Sequence, residues 1–327
     1  MKRTTATILL LTACLCVWGQ NADMEVFTPE ENASLKYADP TAHISVIQPP
    51  TANNQGSAAL SLPIQIPPSR HNIVPNLCIY YDSDLHDGLL GEGWTLSLSS
   101  IKIDTRWGVP TYDATLESED YLVDGSPLCT AAEDGSMQMA RTNQEMKRDS
   151  LRQFFKRRMD FTEIIRYGAF GEKGWEVTTD KGVVYRYGSN KECQLSTTDK
   201  KGKTTIAEWY IYSIQESHDD LVIFNYFQED ETAYSKLKSK AVYLSNIVVQ
   251  DCSRQSTKVF FHWRETPKNI RNFSMRYGFA TSSHRLLDSV RVVGFAGKPL
   301  WTYSFQYEQG DFGKDLLKSV LQLSADG

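Results

Sequence analysis

From residue 175 onward the sequence alternates apolar and polar residues in short segments, each doubling back through a polar turn. This pattern leaves little room for anything but antiparallel β structure. Trp175-Glu176-Val177-Thr178-Thr179 turns through Asp180-Lys181-Gly182 into residues 183–188. Residues 209–214 turn through 217–220 into 221–226, and 242–249 turn through Cys252-Ser253-Arg254 into 259–263. Residues 287–293 turn through Ala296-Gly297-Lys298 into a segment carrying Trp301, Tyr303, Phe305 and Tyr307. Period-two alternation bounded by Gly, Asp and Ser is the mark of hairpins with one buried face. The landmarks Trp175, Trp209, Tyr243 and Leu287 recur at intervals of 34, 34 and 44 residues, a degenerate repeat of two-stranded units. A hairpin cannot bury a face alone, so the units are expected to stack into an extended, twisted antiparallel sheet. No helix of more than a few turns is predicted, and the predicted class is all-β.

Residues 53–104 add three more strand-like runs. Leu60, Leu62, Ile64 and Ile66 alternate with Ala59, Ser61, Pro63 and Gln65, as in a half-buried strand. Pro63 has no amide donor, which predicts an edge strand or a bulge, and Pro67-Pro68 ends the run. Leu77, Ile79 and Tyr81 mark the second strand. Trp94, Leu96 and Leu98 mark the third, and Ile101 and Ile103 continue it on the opposite parity, which predicts a bulge or bend. Between the second and third runs stands Gly88-Leu89-Leu90-Gly91-Glu92-Gly93-Trp94. It precedes a strand rather than a helix, so it offers no helix N-terminus to a phosphate. Its glycines fit a tight turn with positive φ. Gly88, Gly91, Gly93 and Trp94, together with Trp175 and Tyr185 of the first hairpin, are the candidate structural key positions.

At the N-terminus, Lys2 and Arg3 precede an apolar run over 6–18, the pattern of an export signal. Two processing routes are open. Val17-Trp18-Gly19 suits ordinary signal peptidase, whereas Leu11-Thr12-Ala13-Cys14 resembles a lipobox that would make Cys14 a lipid-modified N-terminus. The expected organisation is a signal peptide over 1–20, a polar leader over 21–52 and a β domain over 53–327, with a subdivision near 105–160 left open. The expected location is secreted, the alternative being an outer-membrane lipoprotein. No other segment is long and apolar enough to span a membrane.

The search for chemistry returns little. A net charge of −5 argues against a general nucleic-acid binder. Cys78, Cys129, Cys193 and Cys252 lie too far apart for a zinc-type motif. In an exported chain they are candidates for disulfides, with three full pairings open, or else buried small hydrophobes, the reading preferred for Cys78. No HExxH, H-x-x-x-H or G-x-S-x-G is present, so a metal site would have to assemble by tertiary contact. Glu117 and Glu119 form an E-x-E pair like that of arginine-directed ADP-ribosyltransferases, but the arginine and Ser-Thr-Ser strands of that chemistry are not recognisable. Asp82, Asp84 and Asp87 lack the spacing of a calcium loop and read as a solvated turn. The basic run 147–158 contains Phe154-Phe155, which need burial, so it reads as a charged strand face paired with nearby acids. No catalytic, cofactor or metal site is predicted.

Gly56-Ser57-Ala58, Leu62-Pro63-Ile64 with Pro67-Pro68, Pro75-Asn76-Leu77, Tyr80-Tyr81 and the motif at 88–94 stand in a distinctive order. In that order they resemble the SpvB-type N-terminal module of toxin-complex B components and virulence-plasmid B proteins. Leu122-Val123-Asp124-Gly125, residues 175–188, the Trp209 hairpin and Ser319-Val320 extend the resemblance more loosely to the end of the chain. The resemblance implies a non-enzymatic β segment of a hollow shell, completed by a propeller and Rhs-type repeats around a toxic cargo carried in a separate domain. It implies an Rhs-repeat or toxin-complex chain as partner, with no cofactor, no nucleic acid, and membrane contact only through a lipidated Cys14. The alternative is a secreted binding module that presents Trp and Tyr to a surface protein or glycan. An exposed aromatic platform favours the binding module, an open terminal strand favours assembly, and a cleft of convergent carboxylates favours an enzyme.

Overall fold

The computed structural model describes residues 51–52, 56–86, 88–138, 146–158, 160–216, 220–233, 237–266 and 271–325. The expected signal peptide, Cys14, Asp87 and all but the last two residues of the expected leader lie outside them. Apart from single 3-10 turns, every regular element among the described residues is a strand. None of their helices is long and apolar enough to cross a membrane.

The first sheet contains β1 (Thr51–Ala52), β2 (Ala58–Pro63), β3 (Cys78–Asp82) and β4 (Trp94–Leu96) in that order, all antiparallel. Leu62, Ile64 and Ile66 are buried while Ser61, Pro63 and Gln65 are exposed, as the alternation predicts. Pro63 closes β2 beyond the reach of β1, which pairs only with Ala58 and Ala59, so its missing donor interrupts no ladder on that flank. Thr51 and Ala52, counted with the leader in the sequence, belong to this sheet.

The third run divides. β4 ends at Leu96, and β5 (Ser100–Ile103) lies in a different sheet. The change of parity is therefore a passage between sheets rather than a bulge within one strand. Leu96 is buried from the first, Ile101 and Ile103 from the second.

β5 begins a closed circuit of eight strands. It runs through β6 (Tyr121–Val123), β7 (Ser126–Thr130), β8 (Leu151–Lys156), β9 (Glu163–Tyr167), β10 (Trp175–Thr178) and β11 (Val184–Tyr187). Each pairs antiparallel with the next, β11 pairs with β13 (Thr204–Gln215), and β13 returns to β5 through Glu208↔Lys102, Trp209↔Ile101 and Tyr210↔Ser100. Asp124 and Gly125, at φ 46° and 79°, make the tight β6–β7 turn.

β13 is shared. Its first half also carries β12 (Gln194–Thr198), and its end pairs with β14 (Leu221–Ala233). From there the sheet extends through β15 (Leu237–Gln250), β16 (Ser256–Glu265), β19 (Arg285–Val293), β20 (Pro299–Gln309) and β21 (Asp315–Ser324). A short hairpin of β17 (Arg271–Ser274) and β18 (Thr281–Ser283) touches β15 through the parallel pair Lys240↔Thr281. The four expected hairpins appear as β10–β11, β13–β14, β15–β16 and β19–β20. The all-β stack of antiparallel hairpins stands, and part of it is rolled shut.

Candidate functional site

The glycine–tryptophan motif is where the first sheet meets the large one. Gly88 pairs with Gly91 in an isolated antiparallel bridge, and Leu90 N–H donates to the Trp94 carbonyl at 3.1 Å. The chain passes so close to itself that a Cβ on Gly88 would stand 1.9 Å from that carbonyl oxygen. Gly91 has φ +97°, and its Cβ would meet the Asp315 carbonyl oxygen at 2.4 Å. Gly93 lies against the Tyr81 ring, which packs 5.1 Å from the half-buried Trp94. The loop is bonded outward: Glu92 N–H donates to the Asp315 carbonyl at 2.9 Å, and Leu287 N–H donates to the Leu89 carbonyl at 3.1 Å. Leu90 is fully buried, and Glu92 accepts from Lys314 Nζ at 2.5 Å. The motif is thus a joint onto the starts of β19 and β21.

At the level of Trp175 the barrel interior is filled by side chains. Tyr121, Phe154, Trp175 and Trp209 come from β6, β8, β10 and β13, alternate strands of the circuit, and meet in one layer. Trp175 stands 4.9 Å from Tyr121, 5.0 Å from Phe154 and 5.5 Å from Trp209, ring centre to ring centre. Trp209 Nε1–H donates to the Gly171 carbonyl at 2.8 Å. Tyr185 lies one strand over, half-buried on β11, and makes no part of this layer.

Below the aromatic layer the E-x-E pair meets the basic run. Arg166, wholly buried, grips Glu117 with two hydrogen bonds of 2.5 and 2.7 Å. Its remaining N–H groups donate to the Gly168 and Asp149 carbonyls and the Tyr121 hydroxyl. Burial is the largest single influence and opposes the charge of this guanidinium, but Glu117 and Tyr121 together outweigh it and raise the pKa above the ordinary arginine value. Arg148 pairs with Glu119 and donates to the Asp113, Leu116 and Ala169 carbonyls. Arg152 pairs with Asp149. The two buried glutamates are therefore engaged by arginines, and Arg148, Arg152 and Lys156 of the basic run are paired with acids, as expected for that part of it.

The other end of the barrel is open. Where the β6–β7, β8–β9 and β10–β11 turns lie, a cavity of about 980 Å³ is lined by Val123, Lys156, Arg157, Arg158, Tyr185 and Tyr187 among others. Lys156 is paired with Asp160 at 2.6 Å, while Arg157 and Arg158 are exposed at the rim. Asp124 and Asp160 stand beside these three cations, and because the mouth is assembled from the tips of three hairpins it has no local sequence signature.

Residues 52–285 match the family model described as "SpvB: Salmonella virulence plasmid 65kDa B protein". The chain belongs to the SpvB family. Among solved structures, this SpvB-family chain is similar to the N-terminal domain of effector protein SpvB from Salmonella typhimurium strain LT2. The identity there is 18%, the TM-score 0.65, and the match covers 81% of this chain and 98% of that one. It is also similar to a chain of TcdB2-TccC3-Cdc42, at 18% identity and a TM-score of 0.64, covering 82% of this chain and 15% of that one. A chain of the Photorhabdus luminescens Tc holotoxin pore gives 18% identity and a TM-score of 0.63 over 84% of this chain and 15% of that one. At such identity the likeness establishes the fold. The chain thus spans nearly the whole of the isolated SpvB domain and about 15% of the length of the toxin-complex chains. A search of curated proteins found no match.

Proposed function

We propose that this chain is a secreted, non-catalytic structural module that contributes a wall segment to a toxin-complex-type assembly, with an Rhs-repeat or toxin-complex chain as its partner. The observation that carries the reading is β21. Hydrogen-bonded to β20 along its length, it exposes residues 321–324 on both faces, with Leu321 and Leu323 about 40% accessible. An apolar edge of this kind is a template for further strand pairing. The aromatic layer of the barrel, the arginine-bound glutamates and the joint at 88–94 support a role in rigidity for such a module. Export through the N-terminal signal, or anchorage through a lipidated Cys14, belongs to the same proposal, and intact mass of the processed N-terminus separates the two.

The test is co-expression with the Rhs-repeat chain encoded nearest to it, followed by size-exclusion chromatography. Co-elution as one complex is expected; separate elution of two folded chains overturns the assembly reading. The alternative, a secreted module that binds a surface protein or glycan, draws on the tyrosine-lined, basic mouth. It predicts saturable binding to an acidic glycan that is lost on replacing Tyr185, Arg157 and Arg158 together.

A further inference from the structure

Two turns and the start of β14, distant in sequence, converge at one end of the large sheet. The first is the Ser69–Ile73 turn of the segment that leaves β2, closed by the Asn72 N–H to Ser69 carbonyl bond at 3.1 Å. The second is the start of β14, where Asp220 directly precedes Leu221. The third is the β15–β16 turn, closed by Arg254 N–H on the Asp251 carbonyl at 2.9 Å, which presents Cys252. At their meeting point His71, Asp220 and Cys252 each bring one ligating atom to within 4.8 Å of the other two.

We propose that His71, Asp220 and Cys252 form a site for a borderline divalent cation of the zinc type. Imidazole, carboxylate and thiolate are the donors such an ion takes, with bonds of about 2.0–2.3 Å. Two nitrogen or oxygen donors on a tetrahedral zinc stand roughly 3.3 Å apart by that geometry. His71 Nδ1 and Asp220 Oδ1 are already 3.2 Å apart, so an ion bound by both would take the place of their direct contact. Cys252 supplies the third bond after losing its thiol proton to solvent, and water takes the fourth position.

Asp220 is the fixed member. Its side chain is wholly buried, while His71 and Cys252 are exposed on turns and their side chains can rotate onto it. One carboxylate oxygen accepts from Cys252 N–H at 3.0 Å, and the other accepts from His71 N–H at 3.0 Å. The Ser69 hydroxyl also donates to this carboxylate. These contacts orient the carboxylate in the way outer hydrogen bonds orient metal ligands. The bound ion would pin the segment that follows β2 to the start of β14 and to the β15–β16 turn.

Cobalt(II) titration of the chelator-treated, reduced full chain tests the site. The expected result is one equivalent bound, with a thiolate-to-cobalt charge-transfer band that zinc abolishes by competition. Zinc is also expected to slow maleimide labelling of Cys252. Cys252→Ser should remove the band, His71→Ala should weaken binding by more than about tenfold, and Ser69→Ala by about tenfold, the scale seen for outer-shell partners. Circular dichroism and thermal unfolding establish that each variant is folded. Absence of the band in the folded wild-type chain overturns the site, and so does a band that survives Cys252→Ser.

Discussion

At Gly91 a methyl group has nowhere to go. The residue has φ +97°, and the Asp315 carbonyl oxygen would lie 2.4 Å from its Cβ, against backbone that starts β21. Gly91→Ala must therefore strain its own dihedrals and push the joint away from the large sheet. The expected loss is about 1–3 kcal/mol, read as a lower urea midpoint with an unchanged slope. A variant as stable as the wild type would mean that the joint bears no strain. The cysteines make a second residue-scale case. Cys193 is fully buried, and burial pushes its thiol up to about 11, whereas Cys252 sits exposed on its turn. At pH 8, without added metal, maleimide is expected to modify Cys252 in the native chain and Cys193 only after denaturant is added. Intact-mass and peptide mapping distinguish the two sites. Cys78, half-buried at the start of β3, and Cys129, buried on β7, are free thiols, as is each of the other two described cysteines.

At the scale of elements, the ionic contacts between the 112–119 loop and strands β8 and β9 decide how firmly the lower end of the barrel is closed. Replacing Glu117 by Gln leaves Arg166 buried without its counter-charge, a change that typically costs about 3–5 kcal/mol. Glu117→Gln is expected to fall in that range in chemical denaturation. Combining it with Arg166→Met should cost less than the sum of the singles, since the stranded charge is then gone. The parts of this closure were visible in the sequence as an acidic pair and a basic run, but their pairing was not, because it spans loops without periodicity. The same reason separates the legible strands from the rest. Residues 209–214 and 287–293 declare themselves through apolar alternation. Gln194-Leu195-Ser196-Thr197-Thr198 and the far halves of β14 and β15 are polar strands held by their ladders, from Glu229↔Ala241 to Ala233↔Leu237. Closure of the barrel rests on three pairs between β5 and β13, more than a hundred residues apart in sequence, and no local pattern encodes such a contact.

At the scale of the whole molecule, two ends of the architecture behave oppositely. The first sheet is sutured to the large one by the 88–94 joint and by Gln65, whose N–H donates to the Tyr303 hydroxyl at 3.1 Å and whose carbonyl accepts from Trp301 Nε1 at 3.0 Å. Among the described residues the residue-by-residue ladder of β21 is to β20, and the stretch Val320-Leu321-Gln322-Leu323-Ser324 carries none of the charges that usually blunt a sheet edge. If this strand is where a partner continues the sheet, charge placed on it should act on association and not on folding. Leu321→Lys with Leu323→Lys is expected to leave the unfolding free energy of the chain within about 0.5 kcal/mol, as for other exposed positions. Co-elution with the Rhs-repeat chain proposed as partner should be lost, since two ammonium groups would have to be desolvated against the incoming strand. Replacing Arg157 and Arg158 at the barrel mouth should leave that co-elution intact. The reverse pattern, assembly surviving at β21 and failing at the mouth, would move the working surface of the module from β21 to its hairpin tips.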